Sequence, residues 1–259
     1  MTRSGMTPET TAKTAPKATP LLFLRSLLYY AGFYPVTMVF SLICLLIGPL
    51  LPFRARFTFL TLINYFYIAW LRICCGVKVK VTGREHLPAN GSYVVIANHQ
   101  SEWETLYFQI LIRPQAVVLK RELLRIPLFG WALALLRPIA LDRSKRRGAL
   151  KQLLEQGKAR LADGIPLLIF PQGTRVPVGQ LGKWNKGGAM LAVSSKVPMV
   201  PVAHNAGLFW PGKSFIKYPG TVEVAVGPAI ETADKSVEEV HEAATAWLET
   251  TMREQGSLD

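Results

Sequence analysis

Cysteine and histidine are scarce in this chain, and their positions exclude the common disulfide and zinc frameworks. Of three cysteines, Cys44 stands alone, while Cys74 and Cys75 are adjacent. Neither a C-x-x-C motif nor a disulfide framework is present, so we expect a reducing, cytoplasmic environment. The four histidines lack zinc-ligand spacing, and we predict no metal site. These histidines are His86, His99, His204 and His241.

Motifs of two other protein classes are also absent. The chain has no G-x-S-x-G elbow, which argues against a serine hydrolase. It lacks zinc-finger spacing, an RNA-recognition aromatic motif and heptads, so nucleic acid is not an expected partner despite a net charge of +13. Repeats are missing too, and only the tail (residues 1–20), which is rich in Thr, Pro and Lys, is expected to be disordered.

A long apolar run predicts attachment to a membrane. No charged residue lies between Arg25 and Arg54, and as one helix the run would extend about 42 Å, against roughly 30 Å of hydrocarbon core. The second apolar run, 57–71, is too short to cross comfortably by itself. Two arrangements remain open: one tilted transmembrane helix plus a surface helix, or a helical hairpin that dips into one leaflet. Several helix-breaking residues argue against one straight rod: Gly32, Pro35, Gly48, Pro49 and Pro52.

Positive charge is concentrated away from the C terminus. Residues 231–259 hold eight acidic and two basic side chains, a net of −6, which leaves +19 on residues 1–230. Residues 120–186 contain fourteen Lys and Arg against four Asp and Glu. Beside an apolar anchor, such a surface suits anionic lipid headgroups and phosphorylated substrates. A merely solubilising surface is the alternative.

Strand and helix patterns alternate after residue 76, which predicts an α/β domain. Strands are expected at 77–82, 93–97, 115–119, 137–141, 166–170, 199–203 and 221–226. Helices are expected at 102–112, 128–135, 145–163, 186–195 and 236–255.

The segment 96–105, Ile-Ala-Asn-His-Gln-Ser-Glu-Trp-Glu-Thr, is the most informative stretch. His99 follows the strand at 93–97 and precedes Glu104 by five positions. On one continuous helix this spacing puts the side chains on different faces. They meet only if His99 lies in the loop before the helix and Glu104 in its first turn, with Ser101 as N-cap. The carboxylate would then orient the imidazole, whose other nitrogen accepts a proton. A core histidine and a surface glutamate are the alternative.

Four downstream segments favour the catalytic interpretation. They are KREL (120–123), ALDR (140–143), FPQGTR (170–175) and VPMVPV (197–202). In order and spacing they resemble the blocks of the glycerolipid acyltransferases, most closely the 1-acylglycerol-3-phosphate acyltransferases, over roughly residues 75–230. Two positions depart from the family pattern. Glu104 replaces the usual Asp and keeps the charge, whereas Gln172 replaces the usual Glu, so a carboxylate role cannot transfer to it.

The resemblance implies a fold and a set of site residues. The fold is a mixed, mostly parallel sheet flanked by helices, with His99 and Glu104 as catalytic pair and a hydrophobic groove for an acyl chain. Gly173 permits a sharp turn, and a guanidinium can hold phosphate with two N–H groups. Pairing of Arg175 with Asp142 or Glu104 is the structural alternative. The resemblance assigns substrate binding to Lys120, Gln172, Gly173, Thr174 and Arg175. Among these residues, Lys120 and Arg175 would bind the phosphate.

A basic cluster opens the third predicted helix (145–163). Its side chains suit membrane phosphate or the nucleotide end of coenzyme A, although a plain solvated face is equally compatible with the sequence. The cluster comprises Arg143, Lys145, Arg146 and Arg147.

The implied reaction is acyl transfer from acyl-CoA or acyl carrier protein to the sn-2 hydroxyl of 1-acyl-sn-glycerol 3-phosphate (lysophosphatidic acid), which gives phosphatidate. No cofactor is expected besides this co-substrate. One alternative is another lyso-lipid acceptor, such as a lyso-ornithine lipid, and another is a non-catalytic membrane lipid-binding protein. Residues 21–75 would anchor the chain among the lipids of a bacterial inner membrane, with the catalytic domain (76–259) facing the cytoplasm.

Overall fold

A seven-stranded sheet forms the centre of the structure, a computed structural model that describes residues 18–142 and 146–259. The strand order is β1-β7-β6-β2-β5-β3-β4. Only β6 and β7 pair antiparallel, and the other neighbours are parallel, so the prediction of a mixed, mostly parallel sheet is confirmed. The strands are β1 (Val77–Thr82), β2 (Val94–Ala97), β3 (Ala116–Lys120), β4 (Ile139–Leu141), β5 (Leu167–Ile169), β6 (Met199–His204) and β7 (Gly220–Val226).

Helices cover both faces of this sheet. Each helix and strand expected after residue 76 is present, with ends that differ by at most two residues. In the described parts of the chain the α-helices are α1 (Pro20–Ile47), α2 (Phe53–Leu60), α3 (Leu62–Cys75), α4 (Trp103–Leu111), α5 (Phe129–Ala134), α6 (Arg146–Ala162), α7 (Gly187–Ser195) and α8 (Val237–Glu254).

Strand β2 shows why the strands read as continuous apolar runs. Successive side chains point to opposite faces of a sheet. Val94 and Ile96 pack into the core formed with α6, α7 and α8, whereas Val95 and Ala97 pack into the core formed with α3 and α4. Because helices bury both faces, neither set of positions can be polar.

The parallel strands bring the predicted site residues to one edge of the sheet. β2 pairs with both β5 and β6, and β5 also pairs with β3. His99 follows β2, the segment 172–175 follows β5, and Lys120 ends β3. Ligands of open α/β sheets bind at the carboxyl ends of the strands, where these side chains lie.

Helix α1 differs from the sequence-based expectation, because it continues through Gly32 and Pro35 and ends only at Gly48. Gly32 is required by a close approach of α3: a Cβ there would lie 2.4 Å from Nε1 of Trp70. That Nε1 atom donates a hydrogen bond to the carbonyl oxygen of Tyr29 at 3.1 Å. Packing against α3 therefore keeps this segment helical despite residues of low helix propensity.

The N-terminal helices are apolar enough for a membrane and yet packed against the α/β domain. Pro20–Leu50 and Phe53–Cys75 are both long and apolar enough to cross a membrane, by length and composition. Near its start, α1 buries Tyr29 edge-on against Trp210. Near its end, Cys44 joins a cluster with α2 and α5. The helix therefore lies along the domain over most of its length.

Candidate active site

His99 lies in the loop after β2, and Glu104 lies in the first turn of α4. Nδ1 of His99 is 2.8 Å from Oε1 of Glu104. The same oxygen accepts hydrogen bonds from the main-chain N–H groups of Gln100 at 3.0 Å and Ser101 at 2.8 Å. The Ser101 hydroxyl also accepts the N–H of Trp103, the first residue of α4, at 3.1 Å. Ser101 therefore caps the helix, although Glu102 is the residue that immediately precedes it. The two side chains meet in the arrangement that their five-residue spacing requires.

The environment of the pair leaves one imidazole nitrogen directed to solvent. Nδ1–H donates to the carboxylate, so Nε2 is the acceptor, and the His99 side chain is 16% exposed while Glu104 is fully buried. Phe170 stacks on the imidazole with centroids 4.4 Å apart. Burial alone raises the pKa of Glu104, but the hydrogen bonds from His99 and the Ser101 N–H act in the opposite direction, and the pKa lies below its ordinary value. The carboxylate therefore stays ionised and can stabilise an imidazolium.

A second histidine lies behind Glu104 and has a different environment. His204 is fully buried, with Nε2 4.0 Å from Oε1 of Glu104. Nδ1 accepts the N–H of Ala206 at 3.2 Å, and Nε2 donates to the carbonyl oxygen of Asn98 at 2.8 Å. Burial lowers the pKa of His204, which agrees with a neutral ring. His204 thus fixes the β2 loop to β6 and has no nitrogen available for chemistry.

Gln172 holds the same loop from the other side. Its Oε1 accepts the main-chain N–H of His99 at 2.7 Å, and the His99 carbonyl accepts the N–H of Val176 at 2.8 Å. An amide oxygen makes this contact as well as a carboxylate oxygen would, so the missing charge does not prevent it. Gly173 follows with φ of 72°, a left-handed conformation that glycine adopts without steric cost.

A cleft of about 1300 Å³ opens in front of His99. Lys120, Gly173, Thr174 and Arg175 line it together with His99, whereas Gln172 lies behind the wall. Much of the rest is apolar: α1, α3 and α5 contribute side chains such as Phe40, Ile63 and Leu133, and β3, α4 and the loop after β6 supply others.

Two cationic residues of the cleft, Arg175 and Lys120, have carboxylate neighbours. Arg175 donates from Nη1 to Oε1 of Glu102, so the alternative partners Asp142 and Glu104 were wrong. Lys120 is 55% exposed, with Nζ 3.9 Å from Oε1 of Glu122. Of the basic cluster, Arg143 and Lys145 lie outside the described residues, as do the side chains of Arg146 and Arg147.

Sequence reasoning missed several site residues, among them a basic loop after β6. Residues 207–214 match the G-x-x-x-x-G-K-S pattern of nucleotide-binding P-loops. A P-loop continues directly into a helix, but here the chain after Ser214 reaches β7 without one. Gly212 and Lys213 instead line the cleft, and a Cβ at Gly212 would lie 3.4 Å from Cδ of Arg175. The position of this loop after a neighbouring parallel strand was the available signal.

Comparison with known proteins identifies first the class and then the family. A family model described as Acyltransferase matches residues 78–205, which include the His99 loop and the segment 172–175. The chain is 44% identical over 235 residues to a 1-acyl-sn-glycerol-3-phosphate acyltransferase of Pseudomonas aeruginosa, which covers 89% of this chain and 91% of that protein. The chain therefore belongs to the 1-acyl-sn-glycerol-3-phosphate acyltransferases, a family of acyltransferase enzymes.

More distant relatives agree with this assignment. A 1-acyl-sn-glycerol-3-phosphate acyltransferase of Saccharomyces cerevisiae is 33% identical over 190 residues, 70% of this chain and 60% of that protein. The crystal structure of a 1-acyl-sn-glycerophosphate acyltransferase from Thermotoga maritima superposes with a TM-score of 0.74 at 24% identity, covering 89% of this chain and 94% of that one. This second likeness shows that the fold is shared.

Proposed function

We propose that this enzyme transfers an acyl group from a thioester, acyl-CoA or acyl carrier protein, to the sn-2 hydroxyl of 1-acyl-sn-glycerol 3-phosphate, forming phosphatidate. The supporting observation is the position of the His99–Glu104 pair at a cleft that is lined both by cationic residues and by apolar helices. The acceptor carries a matching group for each of these parts: a phosphate for the cationic residues, a free hydroxyl for His99 and an acyl chain for the apolar helices. The proposal requires no cofactor besides the thioester.

The mechanism uses His99 as general base. Its Nε2 takes the proton of the acceptor hydroxyl while the oxygen attacks the thioester carbonyl carbon. The tetrahedral intermediate breaks its carbon–sulfur bond, and the leaving sulfur takes the proton from the imidazolium. Glu104 stabilises the charge on the imidazolium in between. An ester and a free thiol result, and no covalent enzyme intermediate is needed.

Arg175 and Lys120 would hold the phosphate of the acceptor. Both line the cleft that contains His99, and both are partly exposed, at 39% and 55%. The planar guanidinium can donate two parallel N–H groups to phosphate oxygens, which a lysine cannot do. Gly173 and Thr174 complete the turn that carries Arg175 to the cleft.

Exposed apolar side chains on the helices support a membrane-surface location. Leu42 is 50%, Leu46 68%, Ile73 70% and Trp131 50% exposed, on α1, α3 and α5. Since α1 packs along the domain, we favour helices immersed in one leaflet over a helix that crosses the bilayer. Acceptor and product then stay in the membrane, which we propose to be the bacterial inner membrane at its cytoplasmic face.

Kinetics with varied acceptors test the proposal. Purified protein should transfer radiolabelled acyl groups from acyl-CoA or acyl carrier protein to 1-acylglycerol 3-phosphate faster than to a lyso-ornithine lipid or a monoacylglycerol. Arg175→Ala should raise KM for the phosphate acceptor far more than KM for the donor, and Arg175→Lys should recover only part. Arg253→Ala is the matched control, because Arg253 also pairs with a glutamate, Glu249, at 3.9 Å.

Two results would contradict the proposal. If the lyso-ornithine lipid were acylated faster, it would be the preferred acceptor in place of 1-acylglycerol 3-phosphate. If no lyso-lipid were acylated, a non-catalytic lipid-binding protein would be favoured. An equal loss on acceptors with and without phosphate would show that Arg175 only braces the loop.

A further inference from the structure

In the described parts of the chain, three lysine and arginine side chains line the cleft, and they differ in their carboxylate neighbours. Arg175 donates to Glu102, and Nζ of Lys120 lies 3.9 Å from Oε1 of Glu122. Lys213 is exposed and forms no ion pair with any described residue. Within that part of the chain, Lys213 is therefore the cleft cation whose charge no protein carboxylate offsets.

A closed turn after β6 carries Lys213. The N–H of Ser214 donates to the carbonyl oxygen of Pro211 at 3.1 Å. Lys213 has φ of 65°, and a type II turn requires a positive φ at its third residue. The buried ammonium of Lys217 donates to the Ser214 carbonyl at 2.9 Å and to the Tyr30 hydroxyl on α1 at 2.8 Å. The turn is thus fixed to α1, which gives the main chain of Lys213 a defined position.

Gly212 brings this turn against the candidate active site. A Cβ at Gly212 would lie 3.2 Å from the Gln100 carbonyl oxygen and 3.4 Å from Cδ of Arg175. Gln100 directly follows His99 in the chain. The residue before Lys213 therefore packs against both the loop that carries the base and the side chain of Arg175.

We propose that Lys213 binds the phosphate of the acceptor together with Arg175. The inference rests on the proposed function, in which Arg175 holds that phosphate. A phosphate monoester carries close to two negative charges at neutral pH. The Arg175–Glu102 pair has no net charge, so the guanidinium supplies N–H donors of suitable geometry, and Lys213 supplies the positive charge that the pair lacks.

Both thioester donors also contain phosphate, but at a different distance from the reacting atoms. In the acceptor, the phosphate ester and the free hydroxyl are on neighbouring carbons, sn-3 and sn-2. In acyl-CoA and acyl carrier protein, the pantetheine arm separates the thioester from the nearest phosphate. Because the turn of Lys213 packs against the His99 loop, a phosphate bound there belongs to the acceptor.

Steady-state kinetics in micelles of a nonionic detergent compare wild type with Lys213→Gly. Glycine adopts the left-handed conformation without strain, so this substitution removes the charge and preserves the turn. KM for 1-acylglycerol 3-phosphate should rise about three- to tenfold, between the effects of an exposed ion pair and of a hydrogen bond to a charged group. KM for the acyl donor should stay unchanged, and Lys213→Arg should restore most of the acceptor affinity.

Two controls separate phosphate binding from a structural role of Lys213. Lys196→Gly is the matched variant, because Lys196 is also an exposed lysine with a positive φ, 54°, and lies at the C-terminal end of α7. It should leave both KM values unchanged. Monoacylglycerol, which has no phosphate, should be acylated at the same rate by wild type and Lys213→Gly, whereas damage to the fold would slow this reaction as well.

Other results overturn the inference in distinguishable ways. An unchanged acceptor KM in Lys213→Gly, together with a raised acceptor KM in Arg175→Ala, refutes the role of Lys213 and leaves the proposed function intact. A raised KM for the donor alone would mean that Lys213 binds a donor phosphate. An effect seen only in vesicles of anionic lipid would mean that it binds a lipid headgroup. Wild type that does not acylate 1-acylglycerol 3-phosphate refutes both the inference and the proposed function.

Discussion

The two sides of the cleft are built by different means. On the polar side, hydrogen bonds fix each group: Glu104 accepts three through one oxygen, and Gln172 holds the main chain of His99. On the apolar side, α1, α3 and α5 contribute mainly aliphatic and aromatic side chains whose contacts are non-directional. Chemistry requires atoms placed within tenths of an ångström, whereas an acyl chain requires only volume and the exclusion of water.

The difference also appears within the polar side, where two histidines flank one carboxylate. His99 is 2.8 Å from Oε1 of Glu104 and has a nitrogen directed to the cleft, while His204 is 4.0 Å away and has both nitrogens occupied by main-chain groups. The same residue type thus presents a free ring nitrogen to the cleft at one position and fixes a loop at the other. Substitutions at the two positions should separate activity from stability.

The largest predicted effect follows from removing the base. His99→Ala should reduce kcat roughly 10²–10⁴-fold with only a small loss of Tm, because the side chain is partly exposed and Oε1 of Glu104 keeps the main-chain N–H groups of Gln100 and Ser101. His204→Ala should instead lower Tm, since the N–H of Ala206 and the carbonyl of Asn98 lose their partner. Steady-state kinetics and thermal unfolding of both variants measure these effects. If both variants lost activity and stability to the same extent, the contrast between His99 and His204 would be wrong.

Sequence patterns predicted the polar side better than the apolar side, for a physical reason. The His99–Glu104 contact spans five residues, so a loop and one helical turn determine it. The parallel strands could be recognised from their apolar runs, and their carboxyl ends brought Lys120 and Arg175 to the same edge. Local periodicity therefore located the helices and strands of this side, whereas the roles of Lys120 and Arg175 came from the resemblance to the acyltransferase motifs.

Contacts between distant segments could not be predicted in this way. The partner of Arg175 is Glu102, 73 positions earlier in the chain, and neither of the two carboxylates considered from the sequence was the partner. Pro35 was expected to interrupt α1, but packing of Trp70 against Gly32 depends on a segment that the local pattern does not include. The apolar side consists almost entirely of such contacts.

An intermediate effect is expected on membrane binding from the apolar side. Leu42→Glu should reduce the fraction of protein that floats with liposomes, because it places a charge on the exposed face of α1. Leu181→Glu is a matched control, since both leucines are 50% exposed and Leu181 follows the Gly179 bridge to the C-terminal Leu258. Equal loss of flotation in both variants would show that the apolar face of α1 is not the attachment surface.

The smallest effect concerns Lys217, which joins the two sides. Its buried Nζ donates to the hydroxyl of Tyr30 on α1 at 2.8 Å and to the carbonyls of Ser214 and Phe215. Burial lowers the pKa of Lys217 to about 8 from its ordinary value of 10.5. Between these values the unfolded chain binds a proton that the folded chain does not, so the free energy of unfolding should rise with pH across that window.

Thermal unfolding in detergent from pH 7 to pH 10 measures this contribution. Above pH 8, the Tm of wild type should rise relative to that of Lys217→Met. The expected rise is about 2–4 °C for each kcal/mol gained in the free energy of unfolding. Lys151→Met, at an exposed lysine, should show no such trend. A constant difference between wild type and Lys217→Met would mean that the three acceptors keep the ammonium charged, because stability depends on pH only where the folded and unfolded chains bind different numbers of protons.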